Sequence, residues 1–352
     1  MSETFKQYRI YSKGSFDGLV LEDVPKAMPK FGQVLVRIKA VSLNWRDGII
    51  AIGTYPFPDR DVVVPGSDGA GVVEAVGEGV ANWKVGDRVL GQFNQDHLAG
   101  KMTRSGMLSG LGGEIDGLLG EYFVFPQTGI VKIPEYLSFN EASCLPCAAL
   151  TAWNALYGLV KLEPGMTVLL QGTGGVSIFG LQIAHAAGAK TIITSSSDEK
   201  LRLAKSLGAT HTINYKTTPD WGKEAMKITN GRGVDHLLEM GGTLTLEKSF
   251  DAIGLQGTIS SIGHITNPDP HGAGKSLVGP DAAFLTLDRL CNLRGVVVGS
   301  KEQLEDMLRC FEAREIRPVI DKVFSFHDAR EAYRYLWSAS HVGKVVIQLE
   351  DN

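Results

Sequence analysis

The stretch from Leu169 to Ser177, Leu-Leu-Gln-Gly-Thr-Gly-Gly-Val-Ser, constrains the fold more than any other part of the chain. An apolar run ends there in a glycine-rich turn, and apolar residues at helical spacing follow from Val176 to Ala187. Gly188 stands where this predicted helix would end, and a second apolar strand follows at Thr191–Thr194. A strand, a turn, a helix and a strand within about thirty residues predict a βαβ unit, which crosses over right-handed in a parallel sheet.

The glycine turn is suited to binding a phosphate. Gly172 can adopt the tight turn, Gly174 lets the backbone approach a pyrophosphate, and the amides of the following helix N-terminus point at negative charge. Ser177 replaces the third glycine of the usual G-x-G-x-x-G pattern, so the βαβ context carries the prediction, and a glycine turn without a ligand is the alternative. We expect five consecutive residues to cradle the pyrophosphate of a dinucleotide: Gly172, Thr173, Gly174, Gly175 and Val176.

The end of the second strand indicates which dinucleotide is bound. An NAD site normally has an Asp or Glu about 20 residues beyond the glycines, to bind the ribose hydroxyls. Here that region contains Ser195 and Ser196, whose hydroxyls can donate to a 2′-phosphate that a carboxylate would repel. Lys200 can add a positive charge, and Tyr215 follows the next strand on the same edge of the sheet. The sequence predicts NADP(H) rather than NAD(H), unless the acidic pair Asp198-Glu199 turns back to hold the ribose.

Length and composition limit the class of protein. A chain of 352 residues exceeds what one hydrophobic core usually serves, so two domains are expected. With 43% hydrophobic residues, 21% charged residues and a net charge of −4, the chain is typical of a soluble globular protein, and no basic surface favours nucleic acid or an anionic membrane. The sequence has no apolar run of about 18 residues, so we predict a cytoplasmic protein without a membrane segment.

The spacing of Cys144 and Cys147 is that of a redox pair. Their surroundings are rich in alanine and predict a helix rather than a thioredoxin-like unit. We therefore expect buried thiols.

Apolar patterns predict the arrangement of the domains. The first third of the chain is β-rich, with Lys84–Val89 among its predicted strands, and is followed by a glycine-rich segment from Gln92 to Gly120 that is either a binding lid or a surface loop. Short apolar strands then alternate with helices, which predicts an α/β fold with a doubly wound parallel sheet beside a small β-rich barrel. The six strands expected in that sheet are Val168–Gln171, Thr191–Thr194, His211–Asn214, Val234–Glu239, Gly257–Ile262 and Gly295–Gly299. We expect the barrel domain to begin in residues 1–126, the parallel-sheet domain to occupy residues 127–300, and residues 301–352 to return to the barrel.

Several motifs in a fixed order resemble the medium-chain dehydrogenase/reductase superfamily, specifically its zinc-less quinone oxidoreductase-like and zinc-independent alcohol dehydrogenase branch. The resemblance spans nearly the whole chain and implies a GroES-like barrel domain and a Rossmann domain. Besides the glycine turn, it rests on Leu43-Asn44-Trp45-Arg46-Asp47, Pro65-Gly66-Ser67-Asp68-Gly69-Ala70-Gly71-Val72-Val73, Val85-Gly86-Asp87-Arg88-Val89, Leu150-Thr151-Ala152-Trp153 and Gly343-Lys344-Val345-Val346.

The resemblance also bears on metal binding. Zinc-dependent members hold a catalytic zinc with a Cys, a His and a second Cys. In this chain the first ligand position is Asn44, the second is Ser67, and only the third, Cys147, keeps a thiol. We expect no catalytic zinc, the alternative being a metal held by His97, Cys147 and Asp68.

Without zinc, hydrogen-bond donors must stabilise the charge that develops when hydride reaches a carbonyl or an enone. Asn44, at a former ligand position, is expected beside the nicotinamide, and the resemblance places Tyr55 in the substrate pocket, where it can also donate a proton. A packing role is the alternative for each. Asp47 and Asp68 are expected to be structural acids that pair with Arg88 or with backbone amides.

The same resemblance implies further cofactor contacts. Thr151 is expected to contact the nicotinamide carboxamide. Four other residues lie on segments expected to line the cofactor cleft: Gly241, Gly263, Val298 and Lys344.

These observations predict an NADPH-dependent, zinc-independent oxidoreductase that passes hydride to a quinone, an enone or a carbonyl, with its active site between the two domains. A zinc-free alcohol dehydrogenase or ketone reductase is the alternative within the same class, and a cofactor-binding protein with little catalysis is the alternative from another class. The expected partners are a small-molecule substrate and a second copy of the chain, paired through the edge strand Gly295–Gly299.

Overall fold

The computed structural model describes residues 3–266 and 279–349, and the chain divides into two compact units. The first unit comprises residues 1–150 and 298–352, and the second comprises residues 151–297. The sequence prediction placed these boundaries at 126/127 and 300/301. Residues 127–150 group with the first unit because strand and helix segments within them pair with, or pack on, its sheet.

The described residues form fifteen strands and eleven α-helices. The strands are β1 (Thr4–Ile10), β2 (Leu19–Pro25), β3 (Gln33–Leu43), β4 (Asp68–Val76), β5 (Arg88–Gly91), β6 (Tyr122–Pro126), β7 (Ile130–Lys132), β8 (Thr167–Leu170), β9 (Lys190–Ser195), β10 (His211–Asn214), β11 (Val234–Glu239), β12 (Ile253–Ser261), β13 (Asn292–Gly295), β14 (Ile320–Ser325) and β15 (Lys344–Gln348). The helices are α1 (Trp45–Ile52), α2 (Arg104–Met107), α3 (Phe139–Ser143), α4 (Leu150–Tyr157), α5 (Gly175–Ala186), α6 (Asp198–Ser206), α7 (Trp221–Ile228), α8 (Leu246–Ala252), α9 (Ala282–Arg289), α10 (Lys301–Arg314) and α11 (Ala329–Trp337).

The first unit is built on a seven-stranded sheet. Its strand order is β14-β15-β3-β4-β5-β7, with β6 also paired to β3, and β1 and β2 form a separate antiparallel hairpin. Because β15 pairs with both β14 and β3, this sheet combines strands from residues 33–132 with two strands from residues 320–348. Buried apolar side chains of the hairpin, the sheet, α1 and α11 form one core.

The second unit is a six-stranded sheet of order β10-β9-β8-β11-β12-β13 in which every pair is parallel. This confirms the predicted βαβ unit and doubly wound sheet. Parallel strands buried by helices on both faces carry continuous apolar runs, and β8, with all four residues buried, is of this kind. The strand order reverses direction at β8 and β11, so their carboxyl ends flank the crevice where such sheets bind ligands.

The predicted last strand, Gly295–Gly299, was wrong and shares only Gly295 with the observed strand. The strand is β13, Asn292–Gly295, and Val298 adopts a left-handed conformation with φ of 47° that an extended strand cannot contain. The predicted strand Lys84–Val89 was also misplaced. Its first residues form a turn in which the N–H of Asp87 donates to the carbonyl of Lys84 and Gly86 has φ of 92°, so the strand begins at Arg88.

The glycine-rich segment Gln92–Gly120 is anchored by its polar residues. The side chains of Gln92, Asn94, Gln95 and His97 are buried. The carbonyls of His97 and Leu98 accept the first two N–H groups of α10, which a helix cannot satisfy by itself. This part of the segment is therefore a packed component of the first unit, whereas the sequence left open a lid or a solvated surface loop.

Among residues 3–266 and 279–349, no helix has the length and apolar composition needed to cross a membrane.

One buried side chain in the second sheet gives stability a pH dependence. His236, on β11, is 1% exposed, and neither ring nitrogen has a hydrogen-bond partner among the described residues. Burial lowers the pKa of His236 because its charged form would lose hydration. In the unfolded chain the imidazole takes up a proton near pH 6.5, while in the folded protein it does so only at lower pH.

We expect the free energy of unfolding to fall as the pH drops below about 6.5, by up to about 1.4 kcal/mol per pH unit from this histidine alone. The measurement is urea denaturation at neutral and mildly acidic pH for the wild type and for His236→Leu, which should lose less stability on acidification. His211→Gln, at an exposed histidine on the edge strand β10 of the same sheet, is the control and should behave as the wild type. Equal acid sensitivity of His236→Leu and the wild type would contradict the assignment.

Candidate active site

The glycine turn of the second unit forms an open cradle at the carboxyl end of β8. Gly172 has φ of 75°, a conformation that side chains other than glycine rarely adopt, and Gly174 caps the N-terminus of α5. A Cβ atom added to Gly172 or Gly174 would meet no atom within 4 Å. Thr173, Gly175 and Val176 complete the turn and begin the helix. Packing within the protein therefore does not account for the glycine at position 174, and the space above it is free for a phosphate approaching the helix N-terminus.

The third position of the glycine pattern is occupied by Ser177, which has a different structural role from a glycine. The hydroxyl of Ser177 donates to the carbonyl of Gln171 at 2.7 Å, so this serine ties the helix back to the end of β8. Close contact between helix and sheet occurs at Gly180 instead, where a Cβ would lie 2.7 Å from Leu170 Cδ2 and 3.1 Å from Leu238 Cδ2. Sequence reasoning missed Gly180, although a glycine on the apolar stripe of a predicted helix is a signal of close packing.

A buried carboxylate holds the loop beside the cradle. Glu239, at the end of β11 and fully buried, accepts hydrogen bonds from the N–H groups of Gly241 and Gly242 and from the hydroxyls of Thr245 and Ser249. The Gln171 side-chain amide donates to Glu239 at 2.7 Å, and its oxygen accepts from the N–H of Gly241 at 3.1 Å. Glu239 was missed as a site residue, and its only signal was an acid at the end of an apolar strand.

Three further predicted cofactor residues lie in the second unit. Gly241 follows β11 and is fixed by the Glu239 carboxylate. Gly263 follows β12, and a Cβ there would lie 2.5 Å from the carbonyl of Met240, so it packs directly on the Gly241 loop. Thr151 lies on α4 and is buried. The structure thus brings Gly172, Gly241 and Gly263 to the carboxyl ends of neighbouring strands.

The residues predicted to select the cofactor lie at the ends of β9 and β10. The N–H of Tyr215 donates to the carbonyl of Ser195 at 3.0 Å, so these two segments are adjacent. The Ser195 hydroxyl is buried and accepts the N–H of Ser197, while Ser196 is partly exposed. Lys200 lies in the first turn of α6.

The competing acid at this edge already has a partner. The side-chain amide of Asn214 donates to the Asp198 carboxylate at 2.7 Å. This contact directs Asp198 toward the end of β10.

In the first unit, Asp47 organises the polar residues around the start of α1. Its carboxylate is buried and accepts the N–H of Asn44 at 2.7 Å, the N–H of Ser67 at 3.1 Å and the hydroxyl of Ser67 at 2.7 Å. The expectation that Asp47 binds backbone amides is confirmed. An Asn at the N-cap followed three residues later by an acid was the signal for it.

Asn44 and Lys344 meet, as two predicted site residues should. The Lys344 ammonium donates to the Asn44 side-chain oxygen at 2.5 Å and to the Leu43 carbonyl at 2.7 Å, and it lies 3.8 Å from the Asp68 carboxylate. The Asn44 amide in turn donates to Asp68 at 2.9 Å. Burial raises the pKa of Asp68 to about 7, against the opposing effects of Lys344 and Asn44.

Asp68 was expected to pair with Arg88 or with backbone amides, and only the second alternative is confirmed. Asp68 lies at the start of β4 beside Lys344 and accepts a backbone hydrogen bond from Cys147, whereas the Arg88 guanidinium donates to the carbonyls of Glu135 and Leu137. The return of residues 301–352 to the barrel was predicted, but the pattern did not indicate that Lys344 would lie beside Asp68.

Tyr55 belongs to a second polar group of the same unit. Its hydroxyl accepts a hydrogen bond from Nε of Arg46 at 2.9 Å, and Nη1 of Arg46 donates to the Ser67 hydroxyl at 2.9 Å. Asn44 and Tyr55 therefore do not touch each other through any described hydrogen bond but are joined through Asp47, Ser67 and Arg46. Sequence reasoning missed the role of Arg46, whose contacts with Tyr55 and Ser67 no spacing pattern indicates.

Val298, another predicted cofactor residue, begins the return of the chain into the first unit. It is buried and has φ of 47°, which is unusual for a β-branched side chain. Such backbone strain persists only where the surrounding structure requires it.

The residues at the former metal-ligand positions do not fit a catalytic zinc ion. The ammonium of Lys344 donates to the side-chain oxygen of Asn44, and the guanidinium of Arg46 donates to the hydroxyl oxygen of Ser67. At both positions, the oxygen that could bind zinc therefore already binds a positively charged side chain. The alternative cluster of His97, Cys147 and Asp68 is not assembled: the described residues contain no group of three or more His, Cys, Asp or Glu side chains arranged to hold a metal.

The thiols of Cys144 and Cys147 form no disulfide with each other. Cys144 is buried and Cys147 is partly buried. Burial raises the pKa of Cys144 to about 12.

Two family descriptions match most of the chain. Residues 30–135 match the alcohol dehydrogenase GroES-like domain, and residues 175–313 match the zinc-binding dehydrogenase family. The first match covers most of the seven-stranded sheet, and the second begins at Gly175, the first residue of α5, and covers β9 to β13 of the parallel sheet.

Individual proteins are similar over nearly their whole length. A zinc-type alcohol dehydrogenase-like protein from Schizosaccharomyces pombe is 48% identical over 339 residues, covering 95% of this chain and 96% of the relative. A 2-haloacrylate reductase from a Burkholderia species is 28% identical, covering 96% of this chain and 97% of the relative.

Solved structures give the same result. The crystal structure of a putative alcohol dehydrogenase from Sinorhizobium meliloti 1021 superposes with a TM-score of 0.89 at 38% identity, covering 99% of this chain and 100% of that chain. A crystal structure described as an NAD-dependent alcohol dehydrogenase superposes with a TM-score of 0.85 at 33% identity, covering 98% and 100%.

Substitution of Gly174 should lower the affinity for NADPH with little change in stability, whereas substitution of Gly180 should lower the stability. Gly174→Ala adds a methyl group in open space, so the free energy of unfolding should change by no more than about 0.5 kcal/mol while the affinity for NADPH falls, because the methyl group lies where the pyrophosphate approaches. Gly180→Val is the matched control. It overpacks the contact with Leu170 and Leu238 and should cost about 1–3 kcal/mol of stability.

Urea denaturation and calorimetric titration with NADPH measure the two effects. Unchanged NADPH affinity in Gly174→Ala would show that no pyrophosphate lies over this turn.

Proposed function

The chain belongs to the medium-chain dehydrogenase/reductase superfamily, whose members are nicotinamide-dependent oxidoreductases. On this premise, we propose that it uses NADPH, without zinc, to reduce a quinone, an enone or a carbonyl compound. The observation that carries the proposal is the placement of Lys344 and Arg46 on the two residues that stand at metal-ligand positions, Asn44 and Ser67. A catalytic zinc acts by stabilising an oxyanion as a Lewis acid. In its place we propose hydrogen-bond donation from Tyr55, with Asn44 beside the nicotinamide.

The bound nicotinamide would supply the hydride, and the chain would supply position and charge. We propose that the cradle amides hold the pyrophosphate and that the Glu239-fixed loop shapes the cleft beside it. The remaining proposed contacts to the cofactor are those predicted from the sequence: Thr151, Gly241, Gly263, Val298 and Lys344.

NADP(H) is proposed over NAD(H) from the edge formed by β9 and β10. Ser196 is partly exposed there, Lys200 lies in the following helix turn, and the side chain of Tyr215 is 41% exposed. The contact between Asn214 and Asp198 supports the same preference, because it engages one of the two acids that could otherwise bind the ribose diol. The NAD-dependent structural neighbour makes this preference the first property to measure.

A zinc-free alcohol dehydrogenase or ketone reductase is the second candidate. The names of the Schizosaccharomyces and Sinorhizobium proteins favour it, whereas the name of the Burkholderia reductase favours reduction of an activated double bond. As the sequence predicts, we propose that the protein acts in the cytoplasm.

The activity test is a panel of a quinone, an enone, an aldehyde and a secondary alcohol, each with the phosphorylated and unphosphorylated cofactor and each with and without EDTA. We expect turnover of the quinone, enone or aldehyde, a preference for NADPH, and no effect of EDTA. Turnover of the alcohol alone would favour the second candidate, and loss of activity in EDTA would contradict zinc independence. Binding of NADPH without turnover of any compound would favour a cofactor-binding protein with little catalysis.

The role of Tyr55 is tested by Tyr55→Phe, which keeps the ring and removes the proton donor. Loss of general-acid catalysis should lower kcat by roughly 10²-fold or more, with a smaller change in KM. Tyr11→Phe, at an exposed tyrosine of the same unit, is the control and should retain full activity. Full activity in Tyr55→Phe would contradict the assignment of Tyr55 as donor.

We also propose a homodimer formed through the second unit. β13 is an edge strand with one unpaired side, and α9, which precedes it in the chain and packs against β12, has no buried residue among those the structure describes. Three apolar side chains are mainly exposed there: Phe284 at 61%, Leu287 at 68% and Leu290 at 60%. An apolar helix face next to an open strand edge is a typical surface for a second copy to cover.

Light scattering coupled to size exclusion should give twice the chain mass of 38.0 kDa for the wild type. Leu287→Glu places a charge on the proposed surface and should shift the protein toward monomer. Val85→Glu, at an exposed valine of the first unit, should leave the dimer intact. A monomeric wild type would overturn the proposal.

A further inference from the structure

Arg46 is the most extensively bonded side chain of the first unit. From the first turn of α1 it donates to the Tyr55 hydroxyl at 2.9 Å, the Ser67 hydroxyl at 2.9 Å, the Leu111 carbonyl at 2.7 Å and the Glu114 carboxylate. Its guanidinium carbon also lies 4.9 Å from the ring centroids of both Tyr55 and Phe93. The side chains of Arg46 and Glu114 are only 11% and 8% exposed, so the pair is shielded from water and its charges are matched at close range.

The direction of the bond to Tyr55 determines where the phenolic proton can go. A guanidinium has only donors, so in this contact the Tyr55 oxygen must be the acceptor. Its own proton then points away from Arg46. Among the residues that the structure describes, none accepts that proton, which leaves it available to an exogenous acceptor.

We propose that Arg46 is a positioning residue for Tyr55: it fixes the phenol as an outward hydrogen-bond donor and, together with Glu114, sets how readily the phenol gives up its proton to the substrate oxygen. This inference rests on the proposed function of Tyr55 as proton donor. As hydride adds to the substrate carbon, the electron pair of the π bond moves to oxygen, which takes the Tyr55 proton. The phenolate left on Tyr55 is stabilised by the guanidinium of Arg46 until water returns a proton.

The charges around Tyr55 support this role because they act in opposite directions. Burial raises the pKa of Tyr55, the guanidinium of Arg46 lowers it, and the carboxylate of Glu114 raises it. Removing the Glu114 charge should therefore make Tyr55 more acidic, whereas removing Arg46 should make it less acidic. A role limited to packing would not produce shifts of opposite sign.

The first measurement uses the unliganded protein labelled with ¹³C at the tyrosine Cζ, with the Tyr55 signal assigned by Tyr55→Phe. Titration through the alkaline range should show a lower Tyr55 pKa in Glu114→Gln than in the wild type, and a higher pKa in the double variant Arg46→Gln/Glu114→Gln than in Glu114→Gln. The double variant avoids leaving Glu114 buried without its partner. Glu224→Gln, at a partly exposed acid of the second unit, is the control and should leave the signal unchanged.

The second measurement is a kinetic cycle with the best substrate of the panel. Arg46→Gln/Glu114→Gln should lower kcat more than tenfold with less change in KM, but in a Tyr55→Phe background the same substitutions should change kcat by less than twofold. Equal losses in both backgrounds, or a Tyr55 titration that Glu114→Gln does not move, would overturn the proposal. If the titration shifts as expected and no substrate is turned over, the proposed reaction fails while the control of Tyr55 by Arg46 stands.

Discussion

The buried carboxylate of Asp47 is the interaction on which the polar site of the first unit depends. A carboxylate away from water is costly unless donors surround it, and Asp47 meets this requirement with the backbone N–H groups of Asn44 and Ser67 and the Ser67 hydroxyl. These bonds join the start of α1 to the turn before β4. Once both segments are fixed, Asn44 can reach Lys344 and Ser67 can reach Arg46. The buried carboxylate of Asp47 thus fixes the positions of both Asn44 and Ser67 for their contacts with Lys344 and Arg46.

The second unit also contains a buried carboxylate that is surrounded by hydrogen-bond donors. Glu239 is buried at the end of a parallel strand, and its donors come from the following loop and from Gln171 on the neighbouring strand. Because nearly every acceptor position of the carboxylate is used, the loop containing Gly241 has one well-defined arrangement beside the glycine cradle. Donors held in place before a ligand arrives need little reorganisation when it binds, which is the usual basis of an effective polar site.

The parts predictable from the sequence were those with local signals. Five of the six strands of the parallel sheet, the βαβ unit and the positive φ of Gly172 followed from periodicity and glycine placement, since their causes lie within a few residues. The contacts of Arg46 with Glu114 and of Gln171 with Glu239 each join residues 68 positions apart, and no spacing rule connects them. The end of β13 was misjudged because the left-handed Val298 is set by its surroundings, against the preference of a β-branched residue.

The threading of the chain through the first unit affects how the protein can be made. Residues 151–297 form a contiguous unit that can fold as soon as they leave the ribosome, but β15 must still be inserted between β14 and β3. Until residue 348 is synthesised, β3 has an open edge and Asn44 and Asp68 lack the ammonium of Lys344. During most of translation, the edge of β3 that β15 later covers therefore remains exposed. This interval is when chaperone capture or aggregation competes most strongly with folding.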